Sequence, residues 1–350
     1  MALGILNSSV SFECIAAINP TIAVNVGEIA KIPLHPATAI CKLQIVDLVE
    51  EAVQIAKQDW NFSEISWEYL SLPWISHTNT KTSCDWKAWQ ELLSIRREKM
   101  SRIESQINEE LIRAYEVADI AQSKVADEKI TLARADCEKD CQRLTSYVIG
   151  CMMGRYSLDE PGLIYAHAGD VGFDPDRYAT FPGDTDGIIP ITDELWFEDD
   201  APSRIREFLL AVWGPDTLEE NVAWLAESLG AKATETPDEA IRRYIADKFF
   251  KDHLQTYKRH PIYWLFSSGK QGAFQALVYL HRYHEGTLAR LRAEYVVPLT
   301  GKMQSRIEML EKDRDAASST VARNKIAKQI EKEASDLLAE IGQFTNGGPE

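Results

Sequence analysis

Lysine and arginine side chains are concentrated in one segment of this chain, residues 242–292, where they favour the binding of a polyanion. The segment carries ten Lys and Arg against three Asp and Glu, a local charge of +7. Cationic side chains neutralise phosphate groups and release counterions, and serine hydroxyls donate hydrogen bonds to phosphate oxygens. The side chains predicted to contact phosphates are Lys248, Lys251, Lys258, Arg259, Ser267, Ser268, Lys270 and Arg282.

Aromatic residues interleave with these cations and have two possible roles. Tyr257, Tyr263, Trp264 and Phe266 offer either stacking surfaces for unpaired bases or side chains for a core. Residues 261–266 are almost wholly apolar, which favours burial. We therefore predict that the polar residues after this run, and not the aromatic ones, face the phosphates.

An acidic stretch precedes the basic segment and is an alternative partner for it. Residues 159–239 carry twenty Asp and Glu against four Lys and Arg, and the whole chain has a net charge of −16. A basic patch can hold a polyanion even in an acidic protein. The basic helices can equally dock on the acidic half, and the sequence leaves both possibilities open.

Motifs for nucleotide and cofactor chemistry are incomplete. Ser268-Gly269-Lys270 has the end of a phosphate-binding loop, but Trp264 stands where that loop needs its first glycine. Asn19-Pro20-Thr21-Ile22 lacks the second proline and the aromatic residue of the loop that grips a flipped adenine. Residues 150–154, Gly-Cys-Met-Met-Gly, favour a helix end over a cofactor turn. The chain is therefore predicted to contain no catalytic and no cofactor-binding residue.

Candidate metal ligands lack a complete set. Cys137 and Cys141 lie one helical turn apart, but no second Cys or His pair follows at zinc-like spacing. The segment that begins Asp184-Thr185-Asp186-Gly187 has Leu195 at the twelfth position, where a calcium loop needs glutamate, so it favours an Asp-Gly turn. No metal site is predicted.

Four of the seven histidines lie in the basic segment: His253, His260, His281 and His284. On a helix, His281 and His284 would share one face, which allows a metal or acid–base role. No nucleophile stands beside them in the sequence, so we favour histidines at the surface or at the edge of the core.

Composition is typical of a globular protein, with 45% hydrophobic and 26% charged residues over 350 positions. No signal peptide and no apolar run long enough to span a bilayer is evident, so we expect a cytoplasmic protein with no membrane contact. The six cysteines show no framework spacing and are expected to be reduced thiols.

Periodicity predicts a mainly α protein with a mixed α/β, loop-rich portion. A helix over residues 3–10 and a strand over residues 22–26 open the chain, and this short piece must dock on the rest or on a partner. Residues 156–200 are rich in Gly, Pro and Asp and indicate loops with short strands, whereas residues 201–294 indicate helices. Thr236-Pro237-Asp238-Glu239 is a capping box, and Asp216-Thr217-Leu218-Glu219 is a further helix start.

Three amphipathic segments are predicted to form the long helices. They cover residues 40–59, residues 85–115 and residues 302–341, and the last has a coiled-coil-like seam interrupted by Arg314 and Asn324. The expected domains are residues 1–40, a helical connector over 41–145, a domain over 146–300 with an acidic loop-rich and a basic helical half, and the coiled-coil-like helix and tail over 301–350.

Three stretches carry a resemblance to a known family. They are Tyr147-Val148-Ile149-Gly150-Cys151-Met152-Met153-Gly154-Arg155-Tyr156-Ser157-Leu158-Asp159, Asp193-Glu194-Leu195-Trp196-Phe197, and residues 257–270, Tyr-Lys-Arg-His-Pro-Ile-Tyr-Trp-Leu-Phe-Ser-Ser-Gly-Lys. Together they resemble the C-terminal region of the PglX family, the adenine-specific DNA methyltransferases of type 1 BREX phage-defence systems. Residues 26–33, with Asn19-Pro20-Thr21 before them, resemble the end of the target-recognition domain of such enzymes.

The resemblance implies DNA recognition and scaffolding without the chemistry. In the family, the S-adenosylmethionine-binding and Asn-Pro-Pro-Tyr motifs lie upstream of the matched region, so no catalytic residue carries over. The partners implied are DNA, a separate catalytic portion and other BREX components. The chain departs from the family after Glu333, which favours a truncated gene, a remnant or one half of a split enzyme. A structural module that recruits other defence components is the alternative function, and an independent enzyme has only the histidines in its favour.

Overall fold

The structure is a computed structural model that describes residues 1–19, 21, 24–36, 42–75, 80–192, 194–267 and 274–346. It confirms the mainly α fold with a small mixed portion, because helices dominate and one three-stranded sheet accompanies them. The chain forms two compact units. Unit 1 comprises Met1–Glu68 and Trp86–Ala135, and unit 2 comprises Tyr69–Asp85 and Asp136–Glu350. The four functional segments expected from the sequence stay a prediction.

Unit 1 is built from helices, most of which contribute residues to one apolar core. The helices are α1 (Ala2–Leu6), α2 (Ser9–Ile18), α3 (Val26–Ile29), α4 (Lys42–Trp60) and α5 (Thr82–Tyr115), of which α5 begins within unit 2. Ile5 and Val10 are buried with residues of α4 and α5, such as Ile45 and Ile107. The expected docking of the opening segment on the rest of the chain is therefore confirmed.

The opening of the chain differs from its predicted elements in two places. The helix expected over residues 3–10 is broken at Ser8, whose hydroxyl accepts a hydrogen bond from the Ser11 amide and starts α2. The strand expected over residues 22–26 lies partly outside the described residues, and its end, Val26, begins α3. Asn25 and Glu28 cap that helix reciprocally, so local capping overrides the apolar pattern.

Unit 2 has a helical layer made by α6 (Cys137–Met152), α7 (Ala201–Trp213) and α8 (Leu218–Ser228). The buried faces of α6 and α7 carry Leu144, Ile149 and Phe208, none of which is exposed to solvent. The Gly-, Pro- and Asp-rich segment between α6 and α7 is mostly loop, as predicted, and contains the strand β1 (Ile188–Thr192).

A strand hairpin interrupts the region that was expected to be mostly helical. Strands β2 (Tyr263–Ser267) and β3 (Phe274–Tyr279) are antiparallel, and β3 lies between β2 and β1 in the sheet. The prediction that residues 261–266 are buried is wrong for most of the run. Tyr263 is buried, but Trp264 is 37% exposed, because β2 is an edge strand with one face toward solvent.

The single long helix predicted over residues 302–341 is also wrong. After the short helix α11 (Thr287–Arg290), the chain forms α12 (Val297–Ala316) and α13 (Thr320–Asn346), which fold back on each other. Ala317 is extended, and the Ser319 hydroxyl accepts a hydrogen bond from the Ala322 amide at 3.1 Å. The capping preference of serine thus ends one helix and begins the next within a continuous apolar pattern. Arg306 and Glu333 form an ion pair across the two helices at 3.1 Å.

Candidate nucleic-acid interface

The helix that carries the first predicted phosphate contacts begins at the Thr236 capping box, which the structure confirms. It runs through α9 (Pro237–Tyr244), a π-helical turn (Ile245–Phe249) and α10 (Phe250–Thr256). Its buried face includes Ile241, Phe249 and His253. Burial of this face directs the opposite face of the helix toward solvent.

Lys248 and Lys251 lie on that exposed face. They are three residues apart, so they project from neighbouring positions on the helix surface. Neither forms an ion pair with any residue in the part of the chain that the structure describes. Their charges are therefore available to an external anion.

The turn that ends α10 holds the next two cations in a fixed backbone conformation. Lys258 and Arg259 both have left-handed backbone angles, with φ of 50° and 67°. The Arg259 amide donates to the Leu254 carbonyl at 2.7 Å, and the His260 amide donates to the Tyr257 carbonyl at 2.9 Å. Left-handed residues other than glycine cost roughly 1 kcal/mol or more each, so the surrounding hydrogen bonds must impose this turn. Both side chains are exposed, and neither is ion-paired within the described chain.

This turn was not predicted from the sequence, although one signal for it is present. Pro261 disfavours helical geometry at His260, so α10 has to end before that residue. Neither residue of the left-handed pair is a glycine or an asparagine, the residue types that would have indicated this conformation. Its consequence is that Lys258 and Arg259 are presented together beside the C-terminal end of α10, where cations are favoured by the helix dipole.

Other cations of the basic segment are paired internally. Arg242 contacts Asp200 at 2.5 Å, and Arg243 contacts Glu235 at 2.7 Å. These two arginines therefore dock on the acidic half, which is the alternative that the sequence left open. The exposed lysines of the same helix are not part of it.

Arg282 belongs with the internally paired group and not with the predicted phosphate contacts. It is 1% exposed, and its Nε donates to Asp170 at 2.6 Å. Its other nitrogens donate to the backbone carbonyls of Asp184 and Thr185 at 2.5 and 2.8 Å, and its guanidinium lies 3.8 Å from the centre of the Phe173 ring. A side chain enclosed in this way cannot reach a DNA phosphate, so we remove Arg282 from the set.

The serine and lysine contacts expected near the strand hairpin are only partly described. Ser267 is exposed at the end of β2. Ser268 and Lys270 lie outside the described residues, so their phosphate contacts stay predictions.

The histidines do not form a shared site. His253 is buried, and its Nε2 accepts hydrogen bonds from the amides of Ile262 and Tyr263 at 3.0 and 3.2 Å. Burial, with a further effect of the Arg155 charge, lowers the pKa of His253 to about 4, so the ring is neutral and links α10 to β2. The expectation that His281 and His284 share a helix face is wrong, because the chain is extended at Tyr283 between them.

The cysteine pair shows no metal-binding arrangement. Cys137 lies 3.3 Å from the Ser228 hydroxyl, and a hydrogen bond from the Cys141 thiol lowers the pKa of Cys137 to about 6. Over the described residues, no group of three or more His, Cys, Asp and Glu side chains is placed to hold a metal ion.

Residues 184–187 form the predicted Asp-Gly turn. Asp184 Oδ1 accepts hydrogen bonds from the amides of Asp186 and Gly187 at 2.9 and 2.7 Å. Gly187 has φ of 71°, a conformation that favours glycine. The carboxylates of Asp184 and Asp186 thus accept hydrogen bonds from the backbone amides of this turn.

Asp186 in this turn makes stability depend on pH. Burial, followed by the hydrogen bond and charge of Asp184, raises the pKa of Asp186 from 3.8 to about 7. Between these values the folded state binds more protons than the unfolded state, so the free energy of unfolding falls as pH rises. We expect Asp186→Asn to be more stable than the wild type at about pH 8, by about 1–3 kcal/mol, with a smaller difference at about pH 5.

Urea denaturation at the two pH values measures this difference. In the wild type, Asp186 Oδ1 accepts a hydrogen bond from the Ile188 amide at 2.9 Å, and the asparagine oxygen can accept the same bond. A variant that is less stable than the wild type by the same amount at both pH values would contradict the prediction, because the carboxylate charge would then not be unfavourable.

Comparison with known proteins finds homologues of the chain. No family model matches the chain. It is homologous to adenine-specific methyltransferases over about nine tenths of its length, which confirms the resemblance noted in the sequence. No helix within the described ranges is both long and apolar enough to cross a membrane.

The relatives are BrxX and PglX. The chain is 40% identical over 339 residues to the adenine-specific methyltransferase BrxX of Escherichia coli O9:H4 (strain HS), a match that covers 89% of the chain and 27% of the relative. It is 35% identical over 336 residues to the adenine-specific methyltransferase PglX of Lacticaseibacillus casei (strain Zhang), which covers 94% of the chain and 27% of the relative. The chain thus spans about a quarter of the length of these curated relatives.

Proposed function

We propose that this chain is the DNA-holding, C-terminal portion of a BREX adenine-specific DNA methyltransferase. The observation that carries the proposal is the exposed set Lys248, Lys251, Lys258 and Arg259, which has no internal counter-ions among the described residues in a chain homologous to BrxX and PglX. Four unpaired cations on one helix and the turn that ends it match the charge of a nucleic-acid backbone.

The proposed division of labour places the chemistry elsewhere in the complete enzyme. A catalytic portion binds S-adenosylmethionine and transfers the methyl group to adenine N6, while this chain holds the DNA. No side chain of this chain is assigned to the transfer step. Phosphate contacts fix position and orientation without reading sequence, so we expect this portion alone to bind DNA with little sequence preference.

A structural interaction module is the second candidate function. The internal pairs of Arg242, Arg243 and Arg282 with acidic residues favour it, because these cations of the basic segment are neutralised within the fold. In that case the unpaired cations would be a solvated helix face, and the chain would recruit other BREX components.

The double variant Lys258→Gln, Arg259→Gln separates these candidates. We expect the logarithm of DNA affinity to depend less steeply on the logarithm of salt concentration, with a slope smaller by about 2, because two phosphate contacts are lost. The measurement is fluorescence anisotropy of a labelled duplex at several salt concentrations. Circular dichroism should show an unchanged fold, since both side chains are exposed.

Arg102→Gln, Arg113→Gln is the matched control. It also removes two positive charges, but from α5 in unit 1, where both arginine side chains are exposed. An equal loss of affinity in the control would show that only net charge matters. That result, or the absence of DNA binding at low salt, would overturn the proposal in favour of the interaction module.

A further inference from the structure

Arg155 is a cation of unit 2 whose position is fixed but whose charge is not neutralised by the protein. It follows α6, and its amide donates to the Gly150 carbonyl at 2.8 Å while its own carbonyl accepts from the Ile164 amide at 2.9 Å. Both backbone groups of the residue are thus occupied. The base of the side chain is anchored at the end of α6.

The guanidinium of Arg155 is surrounded by tyrosines. Its Nε donates to the Tyr156 hydroxyl at 3.0 Å, and its Nη1 donates to the Tyr279 hydroxyl at 3.2 Å. The Tyr279 hydroxyl in turn donates to the Tyr165 carbonyl at 2.7 Å. These are neutral acceptors, so they satisfy donors without balancing the charge.

Three other arginines with largely buried side chains differ in this respect. Arg97, Arg242 and Arg282 each contact a carboxylate, of Asp127, Asp200 and Asp170 respectively. Across the described residues, no carboxylate contacts Arg155. Burial of a charge is costly unless it is paired, so the absence of a carboxylate points to an anion from outside the chain.

A second unsatisfied group lies beside this arginine. Tyr263 has no solvent exposure, and its hydroxyl has no hydrogen-bond partner. The hydroxyl and the Tyr156 ring both pack over Gly150, where a Cβ would approach them to 3.1 and 2.4 Å. A buried hydroxyl without a partner is unfavourable, and a ligand oxygen would provide the missing hydrogen bond.

We propose that Arg155, with the hydroxyl of Tyr263, forms a binding site for a phosphate group. Arginine presents a planar set of donors that suits phosphate oxygens, and the unpartnered Tyr263 hydroxyl adds a neutral donor beside it. Arg155 is half-buried and not sealed from solvent, so an anion can reach it.

The location of the site indicates that the phosphate is one of the DNA backbone, and this step rests on the proposed function. His253 lies on α10 between Lys251 and Lys258, and its ring packs on Tyr263 with their centres 4.8 Å apart. Tyr263 therefore packs against the buried face of α10, the helix whose C-terminal turn presents Lys258 and Arg259. A free phosphate would bind by the same chemistry, and the experiment distinguishes the two sources.

His281 supplies a reporter for the test. Its ring lies 5.2 Å from the Tyr279 ring, and burial together with the Arg155 charge lowers the pKa of His281. A bound phosphate offsets the arginine charge. Titration of the full chain with inorganic phosphate at constant ionic strength, followed by NMR of the histidine rings, should therefore raise the pKa of His281.

Two variants identify the groups responsible. In Arg155→Met, the pKa of His281 should already be higher without phosphate and should not respond to it. Tyr263→Phe removes only a hydroxyl and keeps the packing, and we expect it to bind phosphate about tenfold more weakly, the loss of one hydrogen bond to a charged group. A purely structural role for Tyr263 would leave phosphate affinity unchanged.

The DNA arm uses anisotropy at fixed salt. If Arg155→Met weakens DNA binding and phosphate competes with DNA, the site holds a backbone phosphate. If phosphate shifts His281 while DNA affinity is unaffected, the site stands and takes a free phosphate. No phosphate-dependent change of His281 in the wild type would overturn the site, whereas loss of the Lys258 and Arg259 effect would count only against the proposed function.

Discussion

Arg282→Met is expected to lower the free energy of unfolding by about 3–5 kcal/mol, because it removes one partner of a buried ion pair. The substitution leaves Asp170 without its cation and the carbonyls of Asp184 and Thr185 without their donors. Methionine fills much of the same volume, so the loss is chiefly electrostatic and not a cavity effect. Urea denaturation followed by circular dichroism measures it.

The control for Arg282→Met is Arg290→Met in the same basic segment. Arg290 makes a surface pair with Glu294 at 3.5 Å, and its removal should change stability by no more than about 0.5 kcal/mol. DNA affinity of the folded Arg282→Met protein should equal that of the wild type. Normal stability with lost DNA binding would return Arg282 to the phosphate contacts.

The elements that were predicted correctly are those determined by local sequence. Helix α4 and helix α5 follow from the spacing of their apolar residues, and α9 begins at Thr236 because a capping box needs only four neighbouring residues. The Asp-Gly turn at residues 184–187 is likewise local. Neighbouring residues determine such elements, and packing against distant residues does not change them.

The wrong predictions arose where two local signals compete. Across residues 302–341 the apolar pattern favours one helix, while Ser318, Ser319 and Thr320 favour a helix start. The periodic apolar seam is compatible with one long helix and with two shorter helices. The packing of α13 on α12 favours the two shorter helices. The apolar run at residues 261–266 is equally ambiguous, because a short apolar run does not distinguish a buried strand from an edge strand.

The site was predictable only in part, because exposure of a cation depends on residues far away in sequence. Lys248 and Lys251 were predicted as phosphate contacts from the local charge, and the structure places both on one exposed helix face. Arg282 is a cation of the same basic segment, yet it is buried against Asp170, which lies more than a hundred positions earlier. Arg155 was noted only as part of a family motif, since Tyr263 and Tyr279 approach it through the sheet.

Asp200→Ala is expected to destabilise unit 2 by about 4 kcal/mol, since it combines a lost helix cap with a broken buried ion pair. Asp200 is not exposed; its Oδ1 accepts from the Ser203 amide at 3.0 Å at the start of α7. Its Oδ2 contacts Arg242 at 2.5 Å, and Arg242 also donates to the Thr192 carbonyl at the end of β1. One carboxylate therefore connects α7, α9 and the sheet.

Two further variants divide this loss into its parts. Asp200→Asn keeps an oxygen for the cap and removes the charge, so it should retain the stability that the cap contributes. Thr236→Ala removes an exposed cap without any ion pair and should cost about 1 kcal/mol. An Asp200→Ala loss no larger than that of Thr236→Ala would mean that Arg242 finds solvent or another acceptor when its partner is removed.

The comparison of Asp200 with Lys258 and Arg259 tests how the basic segment is divided. If Asp200→Ala unfolds unit 2 readily while Lys258→Gln, Arg259→Gln leaves stability unchanged, the arginines of α9 hold the fold and the cations that follow are free for phosphate. Equal destabilisation by both would mean that the whole segment serves internal complementarity. Denaturation curves of the two variants, measured together with their DNA affinities, distinguish these cases because only the first predicts independent effects on stability and binding.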